Sequence, residues 1–370
     1  MYDAIRPILF KLDPETAHNV TFSLARSAQA APGVLSLLRS NYQIDTPKLS
    51  TTLFGLEFAN PVGVAAGFDK NGHALGLLAA LGFGFIEVGS VTNLPRTGNQ
   101  KPRLFRLEPD QGLINRMGLN NEGPEAAKHN IAKLRRKALA SNRKPMIVAV
   151  NIAKTHDPQI LGDKGIQDML DCYKKMAASG DFVVLNVSCP NTAEGKTFED
   201  PEGITPLLEA VTAERKANNP HQPLLVKFSP DSTPFNLEKT IEVCERFDIS
   251  GYVMVNTSND RSGLQTNGGT IEKIGKGGLS GKPIHQRAVE RVRFAHKLLG
   301  GSKPIIGLGG VDSAESAYEF IRAGASLVEL YTGLVYQGPR LCREILTGLA
   351  GLLERDGFST LTEAVGTEHH

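Results

Sequence analysis

Cysteine is scarce in this chain: four residues among 370, at positions 172, 189, 244 and 342, with no CxxC pair. That spacing excludes a disulfide framework and a thiolate zinc site, and it fits a reducing compartment. Charge of one sign is also lacking. Lys and Arg number 41 against 39 Asp and Glu, and a formal charge of +2 gives no footprint for nucleic acid. No apolar stretch approaches the roughly 18 residues of a membrane span. The first residues have neither the apolar core of a signal peptide nor the Arg-rich, acid-poor character of a transit sequence. His73, His129 and His221 read as surface or helix-face residues, so no metal cluster is expected. A chain that is 41% hydrophobic and 22% charged is globular, with room for one large domain or two ordinary ones.

What the sequence does have is a repeat of short apolar runs. Eight occur, at 62–66, 85–88, 146–151, 182–187, 224–228, 252–256, 304–308 and 327–331. They are apolar on both faces, as parallel strands covered by helices must be. Helix-like stretches at 121–140, 165–178, 203–216, 234–247, 283–299 and 313–323 lie between them, the last capped by Asp312-Ser313. The expected fold class is α/β, a (β/α)8 TIM barrel with an N-terminal helical extension. A doubly wound sheet is the alternative, but it does not need eight such runs. Residues 96–123 and 257–282 read as long loops over the barrel mouth, hence lids or binding loops.

Residues 1–47 stand apart from the repeat, which suggests two units, 1–47 and 48–370. Asp13 is placed to cap a helix that has Pro14 at its first position. Pro32-Gly33 ends that helix, and Val34, Leu35, Leu37 and Leu38 follow. Two readings stay open: a helical cap packed on the barrel, or an amphipathic module with an exposed apolar side for lipid or a lipophilic substrate.

The strand ends carry the chemistry. Ala65-Ala66-Gly67-Phe68-Asp69-Lys70 closes the first run, Gly89-Ser90 the second and Asn151 the third. Asn186 and Ser188-Cys189-Pro190-Asn191 close the fourth, with a thiol, amides and a tight turn together. Lys227 sits in the fifth, Asn256-Thr257 ends the sixth, Gly309-Gly310 the seventh and Tyr331-Thr332-Gly333 the eighth. Phosphate commonly sits beyond strands seven and eight of such barrels, which points to a phosphorylated cofactor. A strand-end Gly or Asn is more often a plain turn residue. A Lys inside an apolar strand is different, because a buried unpaired charge is expensive. Cys172, Cys244 and Cys342 read as core.

Six segments together resemble the dihydroorotate dehydrogenases, over residues 1 to 353. They are Ala66-Gly67-Phe68-Asp69-Lys70, Lys101-Pro102-Arg103-Leu104-Phe105-Arg106, Asn115-Arg116-Met117-Gly118-Leu119-Asn120-Asn121, Asn186-Val187-Ser188-Cys189-Pro190-Asn191-Thr192, Gly277-Gly278-Leu279-Ser280-Gly281 and 305–312. The helical extension is similar to the quinone-using, membrane-associated class 2 branch, which soluble class 1 enzymes lack. The resemblance implies oxidation of dihydroorotate to orotate in pyrimidine synthesis, with hydride to FMN and then electrons to a quinone. It implies FMN contacts at Ala66, Gly67, Ser90, Asn151, Asn186, Lys227, Val255, Gly281, Gly310, Tyr331 and Thr332. It places the substrate against Lys70, against Asn115, Arg116, Met117, Gly118 and Leu119, and against Asn186, Asn191, Asn256 and Thr257. His18 and Arg106 are implied for the quinone path, although His18 by itself reads as a helix-surface residue.

The catalytic pair implied is Cys189, taking a proton from C5 of dihydroorotate while hydride leaves C6, and Lys227, stabilising negative charge on the flavin. Cys189 departs from the class 2 pattern, where serine is usual and cysteine marks class 1. Residues 192–201 also depart from the common class 2 wording. The expected partners are dihydroorotate or orotate, a membrane quinone and a lipid surface, with no nucleic acid or metal. The expected place is the cytoplasmic side of a bacterial inner membrane, held peripherally. The competing readings are a soluble enzyme using fumarate or NAD, against which residues 1–47 argue, and a non-catalytic flavin- or phosphate-binding barrel, against which Lys70, Cys189 and Lys227 together argue.

Overall fold

Asp13 and Pro14 start a helix as the residue pattern requires. In a computed structural model, which describes residues 2–188 and 198–369, Asp13 Oδ1 accepts from the Thr16 N–H at 3.0 Å, with Pro14 in the first turn. Three helices precede the barrel: α1 (Tyr2–Phe10), α2 (Pro14–Ala30) and α3 (Val34–Tyr42). Phe22, Ala25 and Tyr42 pack into the apolar layer outside the barrel. Other large apolar side chains face out. Among the described residues, Ile5, Ile8, Leu12, Val20, Leu24 and Leu37 are six of the ten exposed ones. Part of the segment is thus packed on the barrel, while these six apolar side chains stay exposed.

A hairpin, β1 (Thr51–Leu53) and β2 (Leu56–Phe58), comes next. Its Phe58 joins Phe85 and Phe182 in an aromatic plug, and closes the end of the barrel away from the strand tips. The eight apolar runs then appear as strands. They are β3 (Val62–Val64), β4 (Phe85–Val91), β7 (Ile147–Ile152), β8 (Phe182–Asn186), β9 (Leu224–Phe228), β10 (Gly251–Met254), β12 (Ile305–Leu308) and β13 (Leu327–Leu330). Each is parallel to the next, and β13 pairs back with β3, so the barrel closes without an edge.

The helices outside it are α4 (Leu75–Ala80), α5 (Pro124–Ala140), α6 (Asp163–Met176), α7 (Pro201–Asn218), α8 (Pro234–Cys244), α10 (His285–Leu299) and α11 (Ala314–Ala323). The terminal helices α12 (Thr332–Gln337), α13 (Leu341–Arg355) and α14 (Leu361–Ala364) follow. Of the two residues expected to cap α11, Ser313 is the cap, in a box closed by Ser316.

The two stretches expected as long loops carry regular structure. Residues 96–123 contain β5 (Leu104–Leu107) and β6 (Gly112–Asn115), and residues 257–282 contain α9 (Gly268–Ile274) and β11 (Gly278–Gly281). The three strands form an antiparallel sheet in the order β11-β6-β5. Asp110, at the β5–β6 turn, accepts from Gln265 N at 2.6 Å and Thr266 N at 3.1 Å, and ties the two insertions together. The mouth is thus roofed by paired strands rather than irregular loops.

Candidate active site

Side chains alternate along a strand, so residues two apart point the same way. Phe85, Ala149, Leu225 and Leu327 fill the apolar floor of the barrel. Two residues further on, Glu87, Asn151, Lys227 and Glu329 make a buried polar layer beneath the mouth. Lys227 Nζ lies 2.6 Å from Glu87 Oε2 and 3.8 Å from Glu329 Oε2. Burial works against the Lys227 ammonium, but its acidic neighbours, Glu87 foremost, outweigh it and hold its pKa above the usual lysine range. The charge inside an apolar strand is therefore paired.

Above this layer a cavity opens at the strand tips. Ala66 and Gly67 line it after β3, Ser90 from β4, Asn186 from β8 and Lys227 from β9. Val255, Gly310, Tyr331 and Thr332 line it beyond β10, β12 and β13, with Gly281 from β11. The roof contributes Asn115, Met117, Gly118 and Leu119, the wall includes Lys70, Asn256 and Thr257, and Glu329 reaches the floor. Two glycines shape one end. Gly281 has φ +92° and Gly310 φ +74°, and a Cβ on either would lie within 2.8 Å of backbone oxygen (Gln111 O and Gly281 O). Beside them, Ser280 Oγ and Thr332 Oγ1 sit 2.9 Å apart. Bare backbone and two hydroxyls form a cradle suited to a phosphate.

Several expected contacts are placed differently. Asn151 lies behind the cavity wall, where its Nδ2 donates to Glu87 Oε1 at 2.7 Å and its Oδ1 has no partner. The Arg116 side chain leaves the cavity. It stacks on Phe105 at 4.6 Å and donates to the carbonyls of Ile274 and Lys276, bracing the roof. Cys189 and Asn191 lie outside the described residues. The residue before them is well held: Ser188 Oγ donates to Asn186 Oδ1 at 2.7 Å and accepts from Asn256 Nδ2 at 2.8 Å.

A second cavity lies between α2 and the mouth. His18, Phe22 and Phe68 line it, and it shares Lys70, Met117 and Tyr331 with the first. His18 is wedged against Phe22 and Phe68, with ring centroids 4.3 and 5.8 Å away. Burial, with the Lys70 charge adding to it, lowers the His18 pKa to about 4, so the imidazole is neutral at pH 7. Burial, and then the nearby Arg103, lowers Lys70 to about 8, so it remains largely an ammonium. Arg106 lines neither cavity. Its guanidinium covers the Phe10 ring and donates to the carbonyls of Phe10 and Leu12, where α1 turns into α2.

Residues 48–353 match the family model described as Dihydroorotate dehydrogenase. The chain belongs to that family. A dihydroorotate dehydrogenase (quinone) of Roseiflexus sp. (strain RS-1) is 41% identical over 366 residues, covering 99% of this chain and 98% of that protein. One from Natronomonas pharaonis is 42% identical over 369 residues, covering 100% and 99%. Among solved structures, DHODH from Eimeria tenella in complex with ferulenol superposes with a TM-score of 0.86 at 31% identity, over 97% of this chain and 96% of that one. The family model begins at residue 48, whereas the relatives named for quinone align across the N-terminal helices as well.

Arg103 joins those helices to the mouth. It makes a two-pronged pair with Glu15 of α2, at 2.8 and 3.1 Å, and donates to the carbonyls of Thr97 and Asn99 at 2.7 and 2.8 Å. The sequence reading singled out neither Arg103 nor the carboxylates Glu87 and Glu329. The signal used for Lys227, a charge inside an apolar strand, is present at both carboxylates as well.

Proposed function

We propose that this chain oxidises dihydroorotate to orotate in pyrimidine synthesis, with FMN in the first cavity and a membrane quinone reaching the second. The observation that carries this reading is the shared wall: Lys70, Met117 and Tyr331 belong to both cavities. Two substrates of opposite character, a small polar anion and a lipophilic ring, can therefore approach one cofactor from two sides.

The glycine cradle at Gly281 and Gly310, with Thr332 beside it, would hold the phosphate of FMN, and Lys227 in the same cavity would face its ring. Bound there, FMN supplies the acceptor for the hydride. Lys227 offers a fixed positive charge where negative charge develops on the ring. Lys70 holds the substrate carboxylate. Asn115, Asn186 and Asn256 each present a donor and an acceptor, which suits the edge of a pyrimidine. Asn191 is proposed for the same set, and Cys189 is the proposed base for the C5 proton. His18, kept neutral, and Tyr331, whose phenol burial raises to about 12, line the quinone side without adding charge. Arg106 is proposed to fix the entrance by holding the α1–α2 turn.

The purified protein should be yellow and should bleach on anaerobic addition of dihydroorotate. Colour should return with a ubiquinone analogue and not with fumarate or NAD. A colourless protein that takes up no FMN overturns the cofactor reading, and reoxidation by fumarate or NAD overturns the quinone reading.

No helix among the described residues is long and apolar enough to cross a membrane. The exposed side chains Ile5, Ile8, Leu12, Val20, Leu24 and Leu37 support peripheral contact, here assigned to the cytoplasmic face of a bacterial inner membrane. Each buried aliphatic side chain contributes about 1.5–3 kcal/mol, so changing Ile8 and Leu24 together to Glu should lower vesicle partitioning at least tenfold. Flotation equal to that of the unaltered protein would remove lipid contact from the reading.

A further inference from the structure

Three ionisable side chains meet beneath the first cavity, and their hydrogen bonds tell them apart. Glu87 receives three donors: Ala66 N at 3.1 Å, Asn151 Nδ2 at 2.7 Å and Lys227 Nζ at 2.6 Å. Glu329 is 1% exposed and receives none on either oxygen. The Lys227 ammonium, 3.8 Å from it, is beyond hydrogen-bond reach. Two ionised carboxylates facing one ammonium would bury an uncompensated negative charge, which is costly in a low-dielectric interior. The strands flanking β13 bring no relief. Ile306 and Leu308 of β12, and Ala65 after β3, are apolar, and the charged groups facing Glu329 are Glu87 of β4 and Lys227 of β9. Burial, and then the Glu87 charge, push the Glu329 carboxyl well above the usual carboxylate range. At Glu87 burial is outweighed by Lys227 and Asn151, and its carboxyl is held low.

We propose that Glu329 is a positioning residue: a neutral acid that shares its proton with Glu87 and so leaves Lys227 facing the cavity as an ammonium with a single counter-charge. A second ionised carboxylate would turn the neutral Lys227–Glu87 pair into a net negative charge at the cavity floor. The proposal takes its role, though not its proton, from the flavin reading above. It is a precedented arrangement in physical terms, since apolar surroundings keep carboxylic acids neutral at pH 7 in enzyme sites.

Infrared spectroscopy of the holoprotein at pH 7 tests it. A carbonyl band of a protonated carboxylic acid, shifted in heavy water, should be present and should vanish in Glu329→Gln. Glu329→Gln, a neutral replacement for a neutral group, should keep FMN affinity within threefold. Glu87→Gln, which removes the counter-charge of Lys227, should weaken it at least tenfold. No band lost in Glu329→Gln overturns the proposal, as does equal weakening of FMN binding by the two substitutions. The infrared comparison needs only the unaltered protein and Glu329→Gln, so a Glu87→Gln protein that fails to fold leaves it decisive. The band also does not depend on bound flavin. A protein that shows it but never takes up FMN sinks the cofactor reading and the positioning role while the proton assignment stands.

Discussion

Lys227→Met should slow the bleaching of bound flavin by dihydroorotate by about 10²–10³-fold, the usual loss when one preorganised electrostatic partner is removed. The ammonium is held by Glu87 at 2.6 Å and is nearly sealed from solvent, so no water takes over its charge. Methionine fills similar space and leaves Glu87 buried without a cation. Removing one partner of a buried pair costs about 3–5 kcal/mol, so the melting temperature should fall as well. Adding Glu87→Gln separates the two effects: stability should recover, and the bleaching rate should not. Stopped-flow absorbance and thermal melts read both. A single substitution that slows bleaching less than threefold would take Lys227 out of the chemistry.

Cys189→Ala should lower the same rate by about 10²–10⁴-fold, the range for losing a positioned base. Cys189 lies outside the described residues, directly after Ser188 in the chain. Ser188 is locked between Asn186 and Asn256 at the mouth, both of which line the cavity. A free thiol titrates near pH 8.5, so about a few per cent is thiolate at neutral pH. The base form grows as pH rises, so the bleaching rate should climb through that region. Cys189→Ser should keep part of the activity with the climb displaced to higher pH, because a hydroxyl is the weaker acid. Rates for Cys189→Ala within threefold of the unaltered protein would remove the thiol from the mechanism.

The barrel was legible because each of its strands declares itself locally. A run such as Phe-Val-Val-Leu at 182–185 is apolar on both faces, as burial on both sides requires. The roof over the mouth was not legible. Its strand β11 pairs with β6 across more than 160 residues, and Gly278, Ser280 and Gly281 show no alternation that a local reading can catch. Most cavity-lining residues sit at strand tips and followed from that position. Asn151 and Arg116 did not, because a residue number fixes where the backbone goes and neighbours decide where the side chain turns. Asn151 is captured by Glu87, and Arg116 by the carbonyls of Ile274 and Lys276. Glu87 and Glu329 carry a local signal of their own. Phe-Ile-Glu-Val and Leu-Val-Glu-Leu place an ionisable group inside an apolar strand just as Leu-Val-Lys-Phe does, and in the barrel the three meet.

The Arg103 clasp has a mechanical consequence. One guanidinium grips Glu15 on α2 and the carbonyl of Asn99, whose own amide groups hold Arg116 and Met117 of the roof. A displacement of α2 is therefore linked, through Glu15, Arg103 and Asn99, to the rim of the first cavity. One side chain thus serves the helical segment and the cavity rim together, and α2 cannot be replaced without releasing Arg103 from Glu15.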